Sequence, residues 1–358
     1  MFHLEENKMR RVISAIALSG AILATLTACD PPMPDSLLVE LAERKVVCPE
    51  SSIDIAVTEA VQDVASFWND SMNNACGLGF NLVEETSAGI EITDHEAFKC
   101  EAFLSVPVSM DAAVVTFVLG ENYELTFDAE LLAGIFAKEI TNWSDPAIVA
   151  LNEYAFLEDQ EIVISPTALA PARDALENWL ELETGRDLDL SYITDNLALE
   201  SESIYELGEG ELRITAFSST LTTGYPLANI LSIPGDLNSV VVPDARLIQT
   251  AGTQVDLFKD VDAQLVEFKY NKENEVKPLL GAVEALQPYG PVYGIKMGLC
   301  GEDTVDLRNT ARYLLRLDAQ GVIATGVSSP LPEHIRIAGA ALIDSGNPSL
   351  NLEAEVTE

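Results

Sequence analysis

The stretch Ser165–Leu180, SPTALAPARDALENWL, reads as a loop that opens a helix. A helix N-terminus offers unpaired backbone N–H groups and a partial positive charge, which suit an anion. This one is built mostly from alanine and proline, has no glycine for close backbone approach, and carries a single cation, Arg173. A cation in the first turn opposes the helix dipole unless an anion lies nearby; the competing arrangement pairs Arg173 with Glu177 one turn on. Enzyme chemistry finds less to work with. The chain has no nucleophile elbow, no histidine with a reactive serine or cysteine at motif spacing, and no metal cluster, and its carboxylates are too numerous for a catalytic pair to stand out. The acidic run ELETGRDLDLSYITDN lacks the glycine and ligand order of a calcium loop and reads as solvated surface. His95 has no partner at metal spacing and reads as a surface or packed side chain. The expectation is a protein that is not an enzyme and uses no metal or cofactor.

The compartment follows from the N-terminus. Lys8, Arg10 and Arg11 precede the apolar run VISAIALSGAILATLTAC, which stops at Cys29. The uncharged part is shorter than the roughly 20 residues a spanning helix needs, so residues 1–28 are expected to be a removable secretory signal. Leu26-Thr27-Ala28-Cys29 resembles the bacterial lipobox, in which the cysteine is lipidated and becomes the first mature residue; the alternative is an ordinary signal peptide with an incidental cysteine. Met1 or Met9 can be the start. Residues 29–36 (CDPPMPDS) form a short Pro-rich tether that would hold the body just off the membrane.

Taking residues 1–28 from 358 leaves 330, enough for two lobes with a sizeable core. The leader carries a net charge of +1, so the mature chain carries −39 against −38 for the whole. That excludes nucleic acid as a partner, but not an anionic ligand, because charges more than about 10 Å from a site are largely screened. Four cysteines remain after Cys29: Cys48, Cys76, Cys100 and Cys300. An even count outside the cytoplasm points to two disulfides, with three pairings open.

The body alternates short β-branched runs with helical patterns, which predicts an α/β fold with largely parallel sheets. KVVC reads as a first strand. PESSIDIAVTEAVQDVASFWND follows, with Val57, Val61, Val64 and Trp68 at helical spacing; FNLVEE reads as a second strand and FLSVPVSMDAAVVTFVL as a long buried one. In LTFDAELLAGIFAKEITNWSDPAI, Asp128 can cap a helix whose Leu131, Leu132, Ile135 and Phe136 form an apolar stripe, and Pro146 opens another helix after Trp143.

As a string, this last segment resembles the phosphate-binding proteins of the Pst-type ABC transporters (PstS-like), whose sequences carry L-T-x-x-x-L-A-x-I-F-x-G-x-I-T-N-W-x-D-P-x-I; only the glycine after Phe136 is missing. VPVSMDAAVVTFV, TTGYPLANI, PYGPVYGIKM and LLRLDAQGVIATGVSSPLPEHI resemble further family segments in the same order, so the likeness runs from about Val46 to Ile337. It implies a two-lobed binding-protein fold of type II, each lobe a mostly parallel sheet flanked by helices, with two crossover strands. Lobe I would take residues 37–106 plus 290–358 and lobe II residues 107–289.

The family holds a tetrahedral oxyanion without metal, at a Gly-rich loop opening the first helix, an S-G-x-G loop followed by a serine-aspartate pair, and an R-S-D-G-S-G-T-T loop in the second lobe. Carried over, these imply Ser51 and Ser52 in CPESSID, with an N-cap role as the competing use; Thr86, Ser87 and Gly89 in EETSAGIEI, with the serine-aspartate segment replaced by HEAFKCEAF; and Thr167 and Arg173 in the third loop, where alanines remove the side-chain donors and Pro171 removes an N–H. The resemblance thus implies a lipid-anchored, extracytoplasmic, monomeric solute-binding protein that captures phosphate or a related small oxyanion for an ABC permease. The alternative is a surface lipoprotein with an empty or repurposed cleft, acting in sensing, assembly or adhesion.

Overall fold

The computed structural model describes residues 43, 46–84, 87–120, 124–194, 206–323 and 328–346. Residues 1–28, expected to be a signal, and residues 29–36, expected to be a tether opening at Cys29, lie outside the described residues. None of the described helices is long and apolar enough to cross a membrane.

The architecture is a mixed α/β one organised on two long antiparallel strands, β4 (Ala102–Phe117) and β12 (Val292–Cys300). Every β4 residue from Val106 to Phe117 is buried, which explains its nearly uncharged sequence: a strand covered on both faces has no use for alternation. The first half of β4 belongs to a sheet with β12, β3 (Ile90–Thr93), β1 (Asp54–Val57) and β2 (Asn81–Leu82). Its second half pairs with β7 (Glu211–Ala216), which pairs with β6 (Val163–Ile164). β5 (Thr126–Phe127), β8 (Asn229–Leu231) and β9 (Val240–Val241) form a small separate sheet. The hairpin β10 (Val255–Asp260) and β11 (Leu265–Tyr270) adds to the edge of β4 through Leu265 and Ser105. The α/β expectation holds. Parallel pairing is confined to β1–β2, β1–β3, β5–β8, β6–β7 and β11–β4, while β4 and β12 pair antiparallel because the chain returns along itself.

Residues 46–49 are not a strand; the first strand is β1, and the helix after it is α1 (Glu59–Cys76). The strand signal in KVVC is a short apolar run, and what it supplies is Cys48, bonded to Cys76 at the end of α1. The second disulfide, Cys100–Cys300, joins the start of β4 to the end of β12. Of the three possible pairings, this one follows from the antiparallel register that sets Cys300 against Ala102.

The segment with the strongest resemblance folds as its residues require. Asp128 Oδ1 accepts the Leu131 N–H at 2.8 Å and caps α2 (Ala129–Phe136), whose stripe is buried. Asp145 caps α3 (Pro146–Leu151), and Trp143 lies fully buried, its Nε1 donating to the Gly210 carbonyl at 3.0 Å. The missing glycine has a structural meaning, because Lys138 occupies the left-handed region with φ 60° and lays its ammonium 4.3 Å from the centroid of the Tyr192 ring. An unbranched side chain tolerates that φ at a cost, and a β-branched one does so poorly. Lys138→Val is therefore expected to lose about 1–2 kcal/mol in denaturant unfolding while Lys138→Gly stays within about 0.5 kcal/mol of the native chain.

One continuous apolar core runs from Trp68 and Ile92 through the β4–β12 pair to Phe117, Phe127 and Trp143. The remaining helices are α4 (Ala170–Thr184), α5 (Phe217–Thr223), α6 (Ala245–Ala251), α7 (Val305–Leu314), α8 (Leu317–Ile323) and α9 (Glu333–Ser345).

Candidate functional site

The loop that opens α4 is the first place to look, and its polar groups are already engaged. Thr167 is buried, its N–H donates to the Ile193 carbonyl at 2.8 Å, and its hydroxyl accepts the Leu169 N–H at 3.2 Å. Arg173 does not pair with Glu177. Its guanidinium holds Asp174, with Nε 2.8 Å from Oδ1, and also bonds the Thr194 hydroxyl. The Glu177 carboxylate instead accepts the Leu190 N–H at 2.6 Å. The N-cap residue, Leu169, has no side-chain acceptor to offer, and Pro171 deletes one of the first N–H groups.

Ser51 and Ser52 lie before β1 rather than at the junction of β1 and α1. Ser51 donates to the Asp306 carboxylate, and Ser52 donates to the Gly79 carbonyl at 2.8 Å. Ser87 sits in an exposed turn with its hydroxyl on the Glu84 carbonyl. Gly89 is a packing residue: its N–H reaches the Asp54 carbonyl at 2.8 Å, and a Cβ there would come within 3.2 Å of Leu307. Thr86 lies outside the described residues. The structure does not bring these serines together with Thr167 and Arg173 through any hydrogen bond among the described residues.

What it does bring together is a different set. Thr58 is the N-cap position of the 18-residue α1, but its hydroxyl does not cap the helix. It donates to Asp94 Oδ1 at 2.6 Å, so the side chain that would normally satisfy a first-turn N–H is turned onto a carboxylate. Asp94 directly follows Thr93, the last residue of β3, and stands immediately before the segment HEAFKCEAF. Both residues are nearly buried. In the sequence, a threonine-aspartate pair follows GIEI directly.

The second member is Asp111, in the middle of β4 and without solvent exposure. Its Oδ1 accepts the Ala112 N–H at 2.7 Å and the Ser218 N–H at 3.2 Å, while Oδ2 has no partner. Burial pushes its carboxyl up to about 7, against the lowering effect of the hydrogen bonds from Ser218 and Ala112, and the Asp94 charge raises it further. Asp111 was invisible as a site residue because FLSVPVSMDAAVVTFVL reads as core; the one charge inside a run buried on both faces was the available clue. Thr58 and Asp94 come from the segments around β1 and β3, Asp111 from β4 and Ser218 from α5, and the Asp94 charge acts on Asp111.

No protein-family profile matches the sequence, and no curated protein matches it. Solved structures do match. A high-affinity periplasmic phosphate-binding protein (PfluDING) solved with phosphate aligns over 80% of this chain and 92% of its own, with TM-score 0.50 and 11% identity. A phosphate ABC transporter substrate-binding protein from Clostridium perfringens, also with bound phosphate, aligns over 78% and 100% with TM-score 0.45 and 12% identity. An ABC-type phosphate transport receptor from Vibrio cholerae aligns over 78% and 100% with TM-score 0.41 and 13% identity. The alignment with PfluDING gives the chain the fold of that periplasmic phosphate-binding protein. The proteins it resembles are named as binding and transport proteins, and none of these three is named as an enzyme.

Proposed function

We propose that this protein is an extracytoplasmic solute-binding protein, lipid-anchored through Cys29, which captures phosphate or a related small oxyanion between its two halves and presents it, as a monomer, to an ABC permease. The halves in this reading are residues 37–106 plus 290–358 and residues 107–289. The observation that carries it is the Thr58–Asp94 pair at the start of α1. An 18-residue helix whose N-cap hydroxyl is drawn away leaves first-turn N–H groups to donate to an oxyanion, and Asp94 beside them can accept from a protonated oxyanion such as hydrogen phosphate. Such a site prefers oxyanions that keep a proton at neutral pH over those that do not.

Isothermal titration of the purified mature protein with phosphate and with sulfate tests this. Phosphate is expected to bind, sulfate to bind at least about 10-fold more weakly, and Asp94→Asn to narrow that gap, since a buried acceptor facing an unprotonated oxygen is worth more than a tenfold factor. Absence of heat and of any thermal shift with both ligands would remove the oxyanion reading. The second reading, a cleft turned to another use, draws on the engagement of Arg173 with Asp174 and Thr194, which leaves that side chain committed within the protein.

A further inference from the structure

Three buried polar atoms on or beside β4 have no hydrogen-bond partner: Ser109 Oγ, Asp111 Oδ2 and Ser328 Oγ. All three residues are without solvent exposure. Ser109 and Asp111 are two apart on β4 and therefore point to the same face. The antiparallel bridge between Met110 and Ser329 sets Ser328 opposite Asp111, on that face too. The opposite face is accounted for, because the Ser329 hydroxyl donates to the Ala245 carbonyl at 2.7 Å. One carboxylate oxygen and two hydroxyls thus share one side of β4.

Buried polar groups are almost always paired, and a buried carboxylate needs positive charge or a proton. Neither Asp94 nor Asp111 meets a lysine or arginine in a salt bridge among the described residues; Asp94 takes the Thr58 hydroxyl, and Asp111 takes backbone N–H groups and Ser218. Three acceptors match the three N–H donors of a primary ammonium, whose charge the carboxylate would balance. We infer that Asp111, Ser109 and Ser328 form a subsite for the protonated primary amine of the solute, so that the ligand is a small zwitterion carrying both an oxyanion and an amine. The inference rests on the oxyanion reading above and adds the second half of the ligand.

Calorimetric titration of the mature protein at about pH 8, where Asp111 is mostly ionised, with inorganic phosphate, ethylphosphonate and aminoethylphosphonate separates the two claims. Aminoethylphosphonate is expected to bind at least about 10-fold more tightly than ethylphosphonate, the factor a charge-assisted contact supplies, and Asp111→Asn to bring that ratio close to one. Should Asp111→Asn fail to fold, the double variant Ser109→Ala with Ser328→Ala is expected to lower the same ratio by about threefold or more. A ratio near one in the native protein, or a ratio that survives these substitutions, overturns the amine subsite and leaves the oxyanion reading standing if phosphate binds. No heat from any of the three overturns both.

Discussion

Replacing Cys100 and Cys300 together by serine is expected to lower the unfolding free energy by about 5 kcal/mol, and replacing Cys48 and Cys76 by about 3.5 kcal/mol. The physical ground is loop closure in the unfolded chain: the first bond spans 200 residues and the second 28, and the entropy a crosslink removes grows with the logarithm of the span. The longer bond also fastens the two strands on which the sheet is built, at the end where β4 begins and β12 finishes. Folded marginal stability is about 5–15 kcal/mol, so the Cys100–Cys300 variant should sit near its unfolding midpoint at warm temperature, whereas the Cys48–Cys76 variant should remain folded. Urea titrations of both variants measure the difference. A smaller loss for the 200-residue bond than for the 28-residue bond would mean that strain or residual unfolded structure, rather than chain entropy, governs this protein.

The second large effect is electrostatic and centres on Asp111. Its folded carboxyl titrates at about 7 against an ordinary 3.8, so between those two values the folded state holds a proton that the unfolded state has released. The folded state is then the more protonated one, and stability falls as pH rises through that window. Above pH 7 the ionised group in its buried place costs on the order of 4 kcal/mol relative to pH 4. Asp111→Asn removes this dependence. The variant should melt higher than the native protein at pH 8 and close to it at pH 4, and the difference between the two melting curves, followed from pH 4 to pH 8, isolates Asp111 from the other carboxylates. Equal melting temperatures at both pH values would show that Asp111 is hydrated or paired in solution. Ligand can reverse the sign at high pH, since a bound ammonium would favour the charged form and make Asp111→Asn the less stable protein when aminoethylphosphonate is present.

The same two groups show where sequence reasoning stopped. Strand β4, helix α2 with its Asp128 cap and the two disulfides were legible because each follows from a local rule: an uncharged run, a helical stripe, a capping aspartate, an even cysteine count. Ser51 and Ser52 open the helix only if KVVC is the first strand; residues 46–49 precede β1, so the helix-opening position is Thr58.

The sequence by itself therefore determined an acidic α/β body with two crosslinks and an elongated buried strand, because composition and periodicity are properties of neighbours along the chain. Only the tertiary structure decided which cysteines join, that Thr58 faces Asp94 and Ser218 faces Asp111, and that Arg173 is held by Thr194 and Asp174. These are contacts between residues as far as 200 positions apart, set by strand register and by which face of a strand a side chain leaves from, and a one-residue change in either would send Asp111 into a different environment.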